Sequence, residues 1–399
     1  MPSQEKWRAS IAFDILSSPF YFGAVSSPES PLRVHLRAYR ERAHLSRAEL
    51  GSRAGLSRQA IHQIETGATV PSTRIALHLA RVLGVRVEDL FALPDPPLTA
   101  WWRGAGPARP GVRVRLAQVG RGWLALPLQG EAGLQTAADG LTTHADGGLV
   151  QVTPLGEGAD LERTAVVCGC DPALGLLAAT LGREDHGGRV LWQPASSLDA
   201  LRTLARGEAH AAGLHLYDSL SGESNAPAVR RELGGRDVHL LTLWDWEQGL
   251  IVAPGNPLGV RGPADLASGR VRLVNRDVGA GSRVLLDTWL DRAGVKAERR
   301  LHLPGYTSVV GSHLDAARAV AQGQADAAPG PEFAARALGL DFVPLQRERY
   351  DLAVPAEYVT HPGVQALLQA ARSPAFQTEQ RALGGYTITH PGDLWQVVA

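Results

Sequence analysis

The stretch that most constrains the fold is Ser46–Gly67, where two short helical patterns are separated by one tight turn. Ser46 followed by Glu49 has the spacing of a capping box, which starts a helix by satisfying its first backbone N–H groups. Gly55 suits the turn because glycine adopts positive φ at little cost, and Ser57 is a good cap for a second helix. We therefore predict two helices joined by a turn of about three or four residues, which is the helix-turn-helix pattern.

The second predicted helix has one apolar and one polar face. Ala60, Ile61 and Ile64 recur at helical spacing and predict a buried stripe. The opposite face carries long polar side chains, which in a helix-turn-helix read base edges in the DNA major groove. The candidate DNA-contacting residues are Arg47, Ser57, Arg58, Gln59, His62 and Gln63.

A helical hairpin alone could belong to any small bundle, so the flanking segments are needed to decide which fold it belongs to. We predict an amphipathic helix over Leu32–Ala43, a further helix from Pro71 to Leu83, and a short helical turn over Val87–Leu93. The residues that fit a common pattern are Leu45, Ser46, Glu49, Leu50, Ala54, Gly55, Leu56, Ser57, Ile61, Ile64, Glu65, Gly67, Pro71, Leu83, Gly84, Val85, Leu90 and Phe91. With them, residues 31–93 resemble the lambda-repressor and Cro-like (XRE) family of DNA-binding domains. Arg47 stands where that family most often has a phosphate-contacting glutamine.

Charge is distributed unevenly along a chain whose 40 Lys+Arg and 40 Asp+Glu residues cancel. Between Leu32 and Leu93, ten arginines against five acidic residues leave a local excess of five positive charges. Such an excess fits contacts with phosphates, which supply most non-specific affinity for DNA. The charge pattern therefore supports double-stranded DNA as a partner of this segment.

The two cysteines, the N-terminus and the hydropathy exclude several classes of protein. Cys168 and Cys170 lie two residues apart in an apolar run, so we interpret both as buried structural thiols on one face of a strand, and we predict no metal site. No apolar run reaches the ~20 residues that span a bilayer. Residues 1–30 show no evident signal-peptide cleavage site. We therefore expect a disordered N-terminal extension, no membrane partner and a cytoplasmic location.

The segment that follows the helical head has a different residue pattern, with proline-rich and alternating apolar stretches in place of helical periodicity. The Pro-rich run at 94–97 predicts a linker, which we extend through Trp101, Trp102 and the Gly/Pro-rich run to Gly111. Short alternating strands with turn signals then predict a small β module near 111–160. We assign residues 94–160 to linker and β module together, and interpret the module as a spacer or a dimerisation element.

From residue 161 onward strands and helices alternate, which predicts an α/β domain that binds ligands at the carboxyl ends of its strands. Two similar strands, Leu250–Pro254 and Asp351–Pro355, enclose a second α/β set. Its predicted elements are the strands Val271–Asn275, Ala325–Ala328 and Phe342–Leu345 and the helices Gly281–Ala293, Leu314–Gln322 and Pro331–Leu338. A lobe inserted between two crossing strands predicts a hinged, two-lobed domain over 161–399, with lobe two at about 255–350.

Several short motifs of this region fit one family when they are taken together. They are Gly169–Leu174, Pro194–Ser197, Gly213–Leu216, Gln248–Leu250, Pro254–Gly259, Val274–Arg276, Gly279–Arg283, Gly323–Ala327 and Arg349–Leu352. With these motifs, residues 161–397 resemble the cytoplasmic periplasmic-binding-protein-like domain that is fused to molybdopterin-related and helix-turn-helix proteins. The segment Ala328–Pro331 departs from the glycine-rich, aliphatic run that is usual there.

Three predicted helix starts would face the cleft between the lobes, at Ser196–Ser197, Gly279–Arg283 and Ser312. Helix N-termini offer free N–H groups to anions, and Arg276 and Arg283 add positive charge. The resemblance implies the same chemistry, because related periplasmic proteins clamp molybdate, tungstate or sulfate with serine hydroxyls and helix N-termini. The candidate ligand-binding residues are Asp171, Ser196, Ser197, His215, Arg276, Gly281, Ser282, Arg283, Tyr306 and Ser312.

Simpler roles remain open for several of these residues. Each serine could be only a helix cap, and His215 is equally well explained as a satisfied histidine of the core or rim. Trp244, Trp246 and Tyr217 could stack on a planar ligand or simply pack.

The sequence thus predicts a multidomain chain with an all-α five-helix head, a small β-rich module and a two-lobed α/β domain of the periplasmic-binding-protein type (type 2). The favoured function is a ligand-responsive, sequence-specific transcriptional regulator that acts as a homodimer on a DNA operator. Its effector would be a small anion such as molybdate or tungstate, and no cofactor is predicted.

Three alternatives stay open. The same architecture could sense an organic anion or a molybdopterin-related compound. The chain could be an enzyme of molybdenum-cofactor metabolism with a regulatory head, although no catalytic order of residues stands out in the cleft region. A transport receptor would require export, for which no signal is evident.

Overall fold

The structure is a computed structural model that describes residues 32–93, 97–155, 161–182, 187–218 and 221–399, without the Ala132 side chain. The chain divides into two compact units on either side of Pro96. The disorder predicted for residues 1–30 lies outside the described residues. Among the described residues, no helix is long and apolar enough to cross a membrane.

The first unit is a small helical bundle, as the sequence predicts. Its described helices are α1 (Leu36–Arg42), α2 (Arg47–Ala54), α3 (Arg58–Glu65), α4 (Thr73–Leu83) and α5 (Val87–Leu90), and its two short strands are β1 (Arg33–Val34) and β2 (Phe91–Ala92). Leu36, Leu50, Ile61, Leu79 and Leu90 are fully buried at its centre. The five-helix head is therefore built on one small apolar core.

The first predicted helix begins too early in the sequence. Residues Arg33 and Val34 pair antiparallel with Ala92 and Phe91, and the His35 amide donates to the Leu90 carbonyl. The prediction of a helix over Leu32–Ala43 was wrong at its start, because a strand partner far along the chain holds these residues extended. The same pairing ends the predicted helical turn before Leu93.

The helix-turn-helix itself forms as its residues predict. The Ser46 hydroxyl accepts from the Glu49 amide, and the Glu49 carboxylate accepts from the Ser46 amide at 2.7 Å, which confirms the capping box. Gly55 ends α2 with φ 69°, in the left-handed region. The Ser57 hydroxyl caps α3 by accepting from the Ala60 amide at 3.0 Å.

The β module is a closed barrel with the strand order β3-β5-β4-β6-β7. Its elements are β3 (Leu98–Trp102), β4 (Arg113–Val119), β5 (Gly122–Pro127), α6 (Gly130–Leu134), β6 (Gly140–Asp146) and β7 (Leu149–Pro154). The extension of the linker through Trp101 and Trp102 was wrong, because both residues pair in register with Leu124 and Ala125. The barrel is joined to the next domain by Arg189, whose guanidinium donates to Asp139 at 2.6 Å.

The remaining residues form the two-lobed domain, which we call the clamp domain (161–399). Its first elements are β8 (Thr164–Gly169), α7 (Ala173–Thr180), β9 (Arg189–Pro194), α8 (Ser197–Ala205), β10 (Ala211–Leu214), α9 (Ala226–Leu233), β11 (Val238–Val252), α10 (Pro263–Leu266), β12 (Asn275–Arg276) and α11 (Gly281–Arg292). They are followed by α12 (Ala297–Arg300), β13 (Val309–Val310), α13 (His313–Ala321), β14 (Ala327–Pro331), α14 (Glu332–Arg336), β15 (Asp341–Pro355), α15 (Pro362–Ala371), α16 (Pro374–Leu383), β16 (Tyr386–Thr387) and β17 (Asp393–Val398).

Two strands of 15 residues each, β11 and β15, run through both lobes. They pair antiparallel from Val238 opposite Pro355 to Val252 opposite Asp341. At one end they are flanked by β10 and β17, and at the other by β14. Lobe two is the chain between β11 and β15, lobe one is the rest of the clamp domain outside these two strands, and the two strands themselves are shared by both lobes. The predicted two-lobed α/β fold is confirmed.

Several predicted strands differ from the structure in extent. Phe342–Leu345 and Asp351–Pro355 are two halves of β15, and Leu250–Pro254 is the end of β11. The charged run between the two halves of β15 interrupts the apolar pattern, so the sequence predicts two separate strands. In the fold these charges are accommodated within one strand, because Arg347 pairs with Glu247 of the neighbouring strand. The predicted strand Val271–Asn275 is shorter, since only Asn275–Arg276 forms β12.

Gly51 allows α2 to approach the turn of the helix-turn-helix closely, since a Cβ there would lie 2.6 Å from the Leu56 carbonyl oxygen. We predict that Gly51→Val lowers the free energy of unfolding of the head by about 2 kcal/mol, because the added carbons overpack this contact. Ser52→Val is the matched control, as it places the same side chain on the exposed face of the same helix. Urea unfolding followed by circular dichroism measures both, and equal losses would contradict the prediction.

Candidate functional site

The polar face of α3 is open to solvent in the head. Arg58, Gln59, His62 and Gln63 are exposed, whereas the apolar residues of this helix belong to the core. The α3 side chains predicted to contact DNA thus share one accessible surface. Ser57 lies at the start of this surface, with its hydroxyl engaged in capping α3.

Arg47 is not a free cation, because a buried carboxylate holds it. Glu65, whose side chain is 1% exposed, accepts from Arg47 Nε at 2.6 Å and from Arg40 Nε at 2.5 Å. Burial alone would raise the pKa of Glu65, but the two arginines keep the pKa below its ordinary value. The ion pairs therefore fix α1 and α2 to the end of α3 and orient the Arg47 guanidinium.

In the clamp domain, polar side chains from both lobes meet at the middle of β11 and β15. We call this group the cleft cluster; it consists of Cys170, Asp171, Ser197, His215, Trp244, Trp246, Gln248, Arg276, Ser282, His313, Glu348, Tyr350 and Tyr386. Lobe one contributes residues that follow β8 and β10, and lobe two contributes the first turns of α11 and α13 together with β12. All of these residues except Cys170 are buried.

Asp171 is held by three donors within lobe one. Its carboxylate accepts from the Ala173 amide at 2.9 Å, from Trp244 Nε1 at 2.8 Å and from the Tyr386 hydroxyl at 2.7 Å. Burial raises the pKa of Asp171 to about 6, against the effect of these hydrogen bonds. The predicted ligand-binding residue Asp171 is therefore engaged in cross-linking strand β11 and the C-terminal segment to the end of β8.

His215 connects the lobes and is positioned by three neighbours. Its amide donates to the Ser197 hydroxyl at 3.2 Å, and its Nδ1 lies 3.0 Å from the Glu348 carboxylate. A Cβ at Gly281 would lie 2.2 Å from the His215 carbonyl oxygen, so lobe two can approach only because residue 281 is glycine. Burial would lower the pKa of His215, but Cys170 and Glu348 raise it to about 10.

Arg276 is a buried cation of lobe two. It donates to the carbonyl oxygens of Val310 and Gly311 at 3.2 and 3.0 Å, and its Nη1 lies 2.7 Å from His313 Nδ1. Because arginine only donates, His313 Nδ1 must accept and Nε2 must carry the hydrogen. Burial and Arg276 lower the pKa of His313 well below its ordinary value. In the described part of the chain, no carboxylate forms an ion pair with Arg276.

Three donors of the cleft cluster have no partner among the described residues. They are Trp246 Nε1, Gln248 Nε2 and His313 Nε2, all of them buried. The amide oxygen of Gln248 is already used, since it accepts from the Ser282 hydroxyl at 3.2 Å. Because a buried donor without an acceptor costs about 1–3 kcal/mol, these groups favour a ligand that accepts hydrogen bonds.

A cation fits the same residues less well. Cys170, His215 and His313 offer one ligand atom each within 4.8 Å of one another. A metal needs a lone pair on each imidazole, and Arg276 forces His313 to present N–H on Nε2. The cysteine, the second histidine and Glu348 were missed by the sequence patterns, although His313 directly follows the predicted cap Ser312 and Cys170 directly precedes Asp171.

The other predicted ligand-binding residues lie outside the cleft cluster. The hydroxyls of Ser196 and Ser312 bond to the aspartates of their own helices, Asp199 at 2.7 Å and Asp315 at 2.6 Å, as helix caps do. In lobe two Arg283 pairs with Asp287 at 3.2 Å and lies 4.2 Å from the centre of the Tyr306 ring. The Tyr306 hydroxyl donates to the same Asp287 at 2.6 Å. These four side chains are thus partnered within their own lobes.

Two cavities lie away from the cleft cluster. One of about 910 Å³ lies between the barrel and lobe one, where Arg115, Leu128 and Trp192 are among its lining residues. The other, of about 200 Å³, lies at the rim between the lobes beside Tyr217 and Gly279. None of the predicted ligand-binding residues lines either cavity.

Two family models match the chain. A helix-turn-helix domain matches residues 31–93, and a PBP superfamily domain matches residues 178–372. YvgK of Bacillus subtilis is 40% identical over 158 residues, which are 40% of this chain and 50% of YvgK. The chain thus spans half the length of that relative.

Shorter relatives match the head. An HTH-type transcriptional regulator of Archaeoglobus fulgidus is 36% identical over 67 residues, which are 17% of this chain and 96% of the regulator. Among solved structures, the sulfate-binding protein SubI of Mycobacterium tuberculosis is 17% identical, with a TM-score of 0.44 and coverage of 57% of this chain and 88% of SubI.

The chain therefore joins a helix-turn-helix head to a two-lobed domain in which residues 178–372 match the PBP superfamily model. Through its head, the chain belongs to the HTH-type transcriptional regulators. The resemblance to an XRE-like head fused to a periplasmic-binding-protein-like domain is confirmed at this level.

The raised pKa of Asp171 makes the stability of the clamp domain pH-dependent. A carboxyl with a pKa raised on folding stabilises the fold below its unfolded pKa, and that contribution is lost as the pH rises through the folded value. We predict that Asp171→Asn gains stability relative to the unmodified protein between pH 4 and 7, by about 3 kcal/mol at most. Urea unfolding at each pH measures the difference, with exposed Asp146→Asn as control; a flat difference would contradict the prediction.

Proposed function

We propose that the protein is a ligand-responsive transcriptional regulator that binds an operator as a homodimer in the cytoplasm and senses a small anion through the clamp domain. The observation that carries this proposal is the set of buried, unpartnered donors beside the buried Arg276. Anions accept from several donors at once, and buried positive charge strengthens such bonds.

The exposed face of α3 supports the DNA-binding half of the proposal. In helix-turn-helix dimers the recognition helices lie about 34–36 Å apart, which lets them enter successive turns of the major groove. Arg58, Gln59, His62 and Gln63 would face base edges, whereas Arg47, held by Glu65, would contact a phosphate. Ser57 would lie where the start of α3 meets the DNA backbone.

The residues of both lobes support the ligand-binding half. Donors on β11 would meet the anion from the shared strands, and Arg276 and His313 would meet it from lobe two. Closure of the lobes on the anion would shift the population of DNA-binding states, because a ligand favours the conformation that it binds more tightly. We favour a tetrahedral oxyanion such as molybdate or tungstate, since compact donors enclose it from all sides.

For the head, we predict that Gln59→Ala weakens binding to an operator selected by the unmodified protein from random double-stranded DNA. One lost bidentate base contact costs about 1–3 kcal/mol, or roughly tenfold to a hundredfold in affinity. His78→Ala, which removes an exposed side chain of α4, is the control. Mobility shifts measure both variants, and unchanged affinity of Gln59→Ala would remove α3 from the interface.

For the clamp domain, we predict that molybdate or tungstate at a hundred times its Kd raises the melting temperature by about 5 °C. Arg276→Gln removes the buried charge and should abolish this shift. Arg272→Gln, which changes an exposed arginine four residues away, should retain it. Sulfate, phosphate and molybdopterin-related compounds form the comparison series in the same thermal-shift assay; if no oxyanion stabilises the protein, the oxyanion version fails and an organic anion remains.

A further inference from the structure

The two cysteines of the chain occupy different environments. Cys168 is buried within β8, against the core on the α8 side of the sheet. Cys170 lies one residue beyond the last residue of β8, where the chain turns toward α7, and it packs partly exposed against the opposite core. The expectation that both are buried structural thiols on one face was therefore wrong for Cys170.

The Cys170 thiol lies beside an imidazole that a carboxylate orients. The Cys170 sulfur and a ring nitrogen of His215 lie within 4.8 Å of each other, and His215 Nδ1 lies 3.0 Å from the Glu348 carboxylate. A nucleophile, a base and a residue that orients the base in this order are the arrangement that activates thiols in proteins. The sequence patterns did not place these three residues in one site.

Further polar groups surround the thiol. The Tyr350 hydroxyl accepts from the amide of the neighbouring Asp171 at 3.4 Å, and the buried Arg276 interacts with Cys170 electrostatically. His313 Nε2 is an unpartnered donor of a side chain that is 3% exposed, and one ring nitrogen of His313 lies within 4.8 Å of the sulfur and of a His215 ring nitrogen. The titratable groups around this position are Asp171, His215, Arg276, His313, Glu348, Tyr350 and Tyr386.

We propose that Cys170 is a reactive cysteine: His215 takes the proton of its thiol, and a hydroperoxide oxidises the sulfur to a sulfenic acid. The sulfur attacks one peroxide oxygen, so that an S–O bond forms while the O–O bond breaks. Sulfur is oxidised and the peroxide is reduced. The leaving hydroxide, or alkoxide, takes the proton of His215 and departs as water or an alcohol, and the unpartnered His313 N–H donates to the new oxygen.

Cys168 serves as an internal control for this chemistry. It lies two residues earlier, inside β8, and burial raises its pKa to about 12, which keeps it a thiol at neutral pH. Thiolates, not thiols, are the nucleophiles. A reagent that meets both cysteines in the folded protein should therefore react at Cys170.

The test is alkylation of the folded full-length protein with iodoacetamide, followed by peptide mass spectrometry. We expect Cys170 to react at least about tenfold faster than Cys168. One equivalent of hydrogen peroxide followed by dimedone should label Cys170 as a sulfenic acid adduct. Equal rates at the two cysteines, or no dimedone adduct on Cys170, would overturn the proposal.

His215→Asn and Glu348→Gln test the pairing itself. Both should slow alkylation of Cys170 at pH 7 by about tenfold or more, and the difference should shrink at pH 10, where the thiolate forms without help. A variant that merely loosened the fold would expose Cys170 and Cys168 alike and speed both reactions. An unchanged rate at pH 7 in His215→Asn would contradict the role of the imidazolium.

The oxidation does not require an anion, so its failure and that of the proposed anion site are distinguishable. If both hold, molybdate should slow the alkylation of Cys170, because thiolate and anion compete for Arg276 and His313. Alkylation that is rapid but insensitive to every oxyanion would keep the reactive thiolate and remove the anion from the cleft cluster. Slow alkylation together with a molybdate-induced thermal shift would keep the anion site and remove the reactive cysteine.

Discussion

The antiparallel pairing of β11 and β15 is the interaction on which the clamp domain depends. Because both strands belong to both lobes, their backbone hydrogen bonds hold the lobes together and fix the register of the residues between them. Register shifts at Thr242/Trp244 and at Gln248/Gly249 flank the middle of the pair. Bulges turn side chains toward sites that a regular ladder would not reach, and Trp244, Trp246 and Gln248 lie between these two shifts.

Local signals were read correctly from the sequence, whereas non-local partners were not. The caps at Ser46, Ser57 and Ser312 depend on residues about three positions away, so their spacing predicts them. The short strand at Arg33 depends on Ala92 and was mistaken for helix. In β15, the charged run around Arg347 interrupted the apolar pattern, although in the fold those charges pair across strands.

The candidate site shows the same division. Arg276, Ser282 and His215 follow strands or begin helices, and this placed them in the predicted cleft. Cys170 also follows a strand, but its spacing from Cys168 in an apolar run led both cysteines to be assigned to the core. Glu348 lies inside β15 and lacked such a signal, because its partner His215 comes from a different part of the chain. Serines that are equivalent in the sequence pattern differ in burial. Ser197 lies inside the cleft cluster, whereas Ser196 and Ser312 only cap their helices.

The contact between Arg189 and Asp139 has a mechanical consequence. Arg189 begins β9 of lobe one, and Asp139 precedes β6 of the barrel. The barrel is therefore fastened to lobe one, whereas Arg276 and His313 belong to lobe two. Because β11 and β15 run through both lobes, the stiffness of that strand pair sets how far lobe two can move against the lobe that carries the barrel.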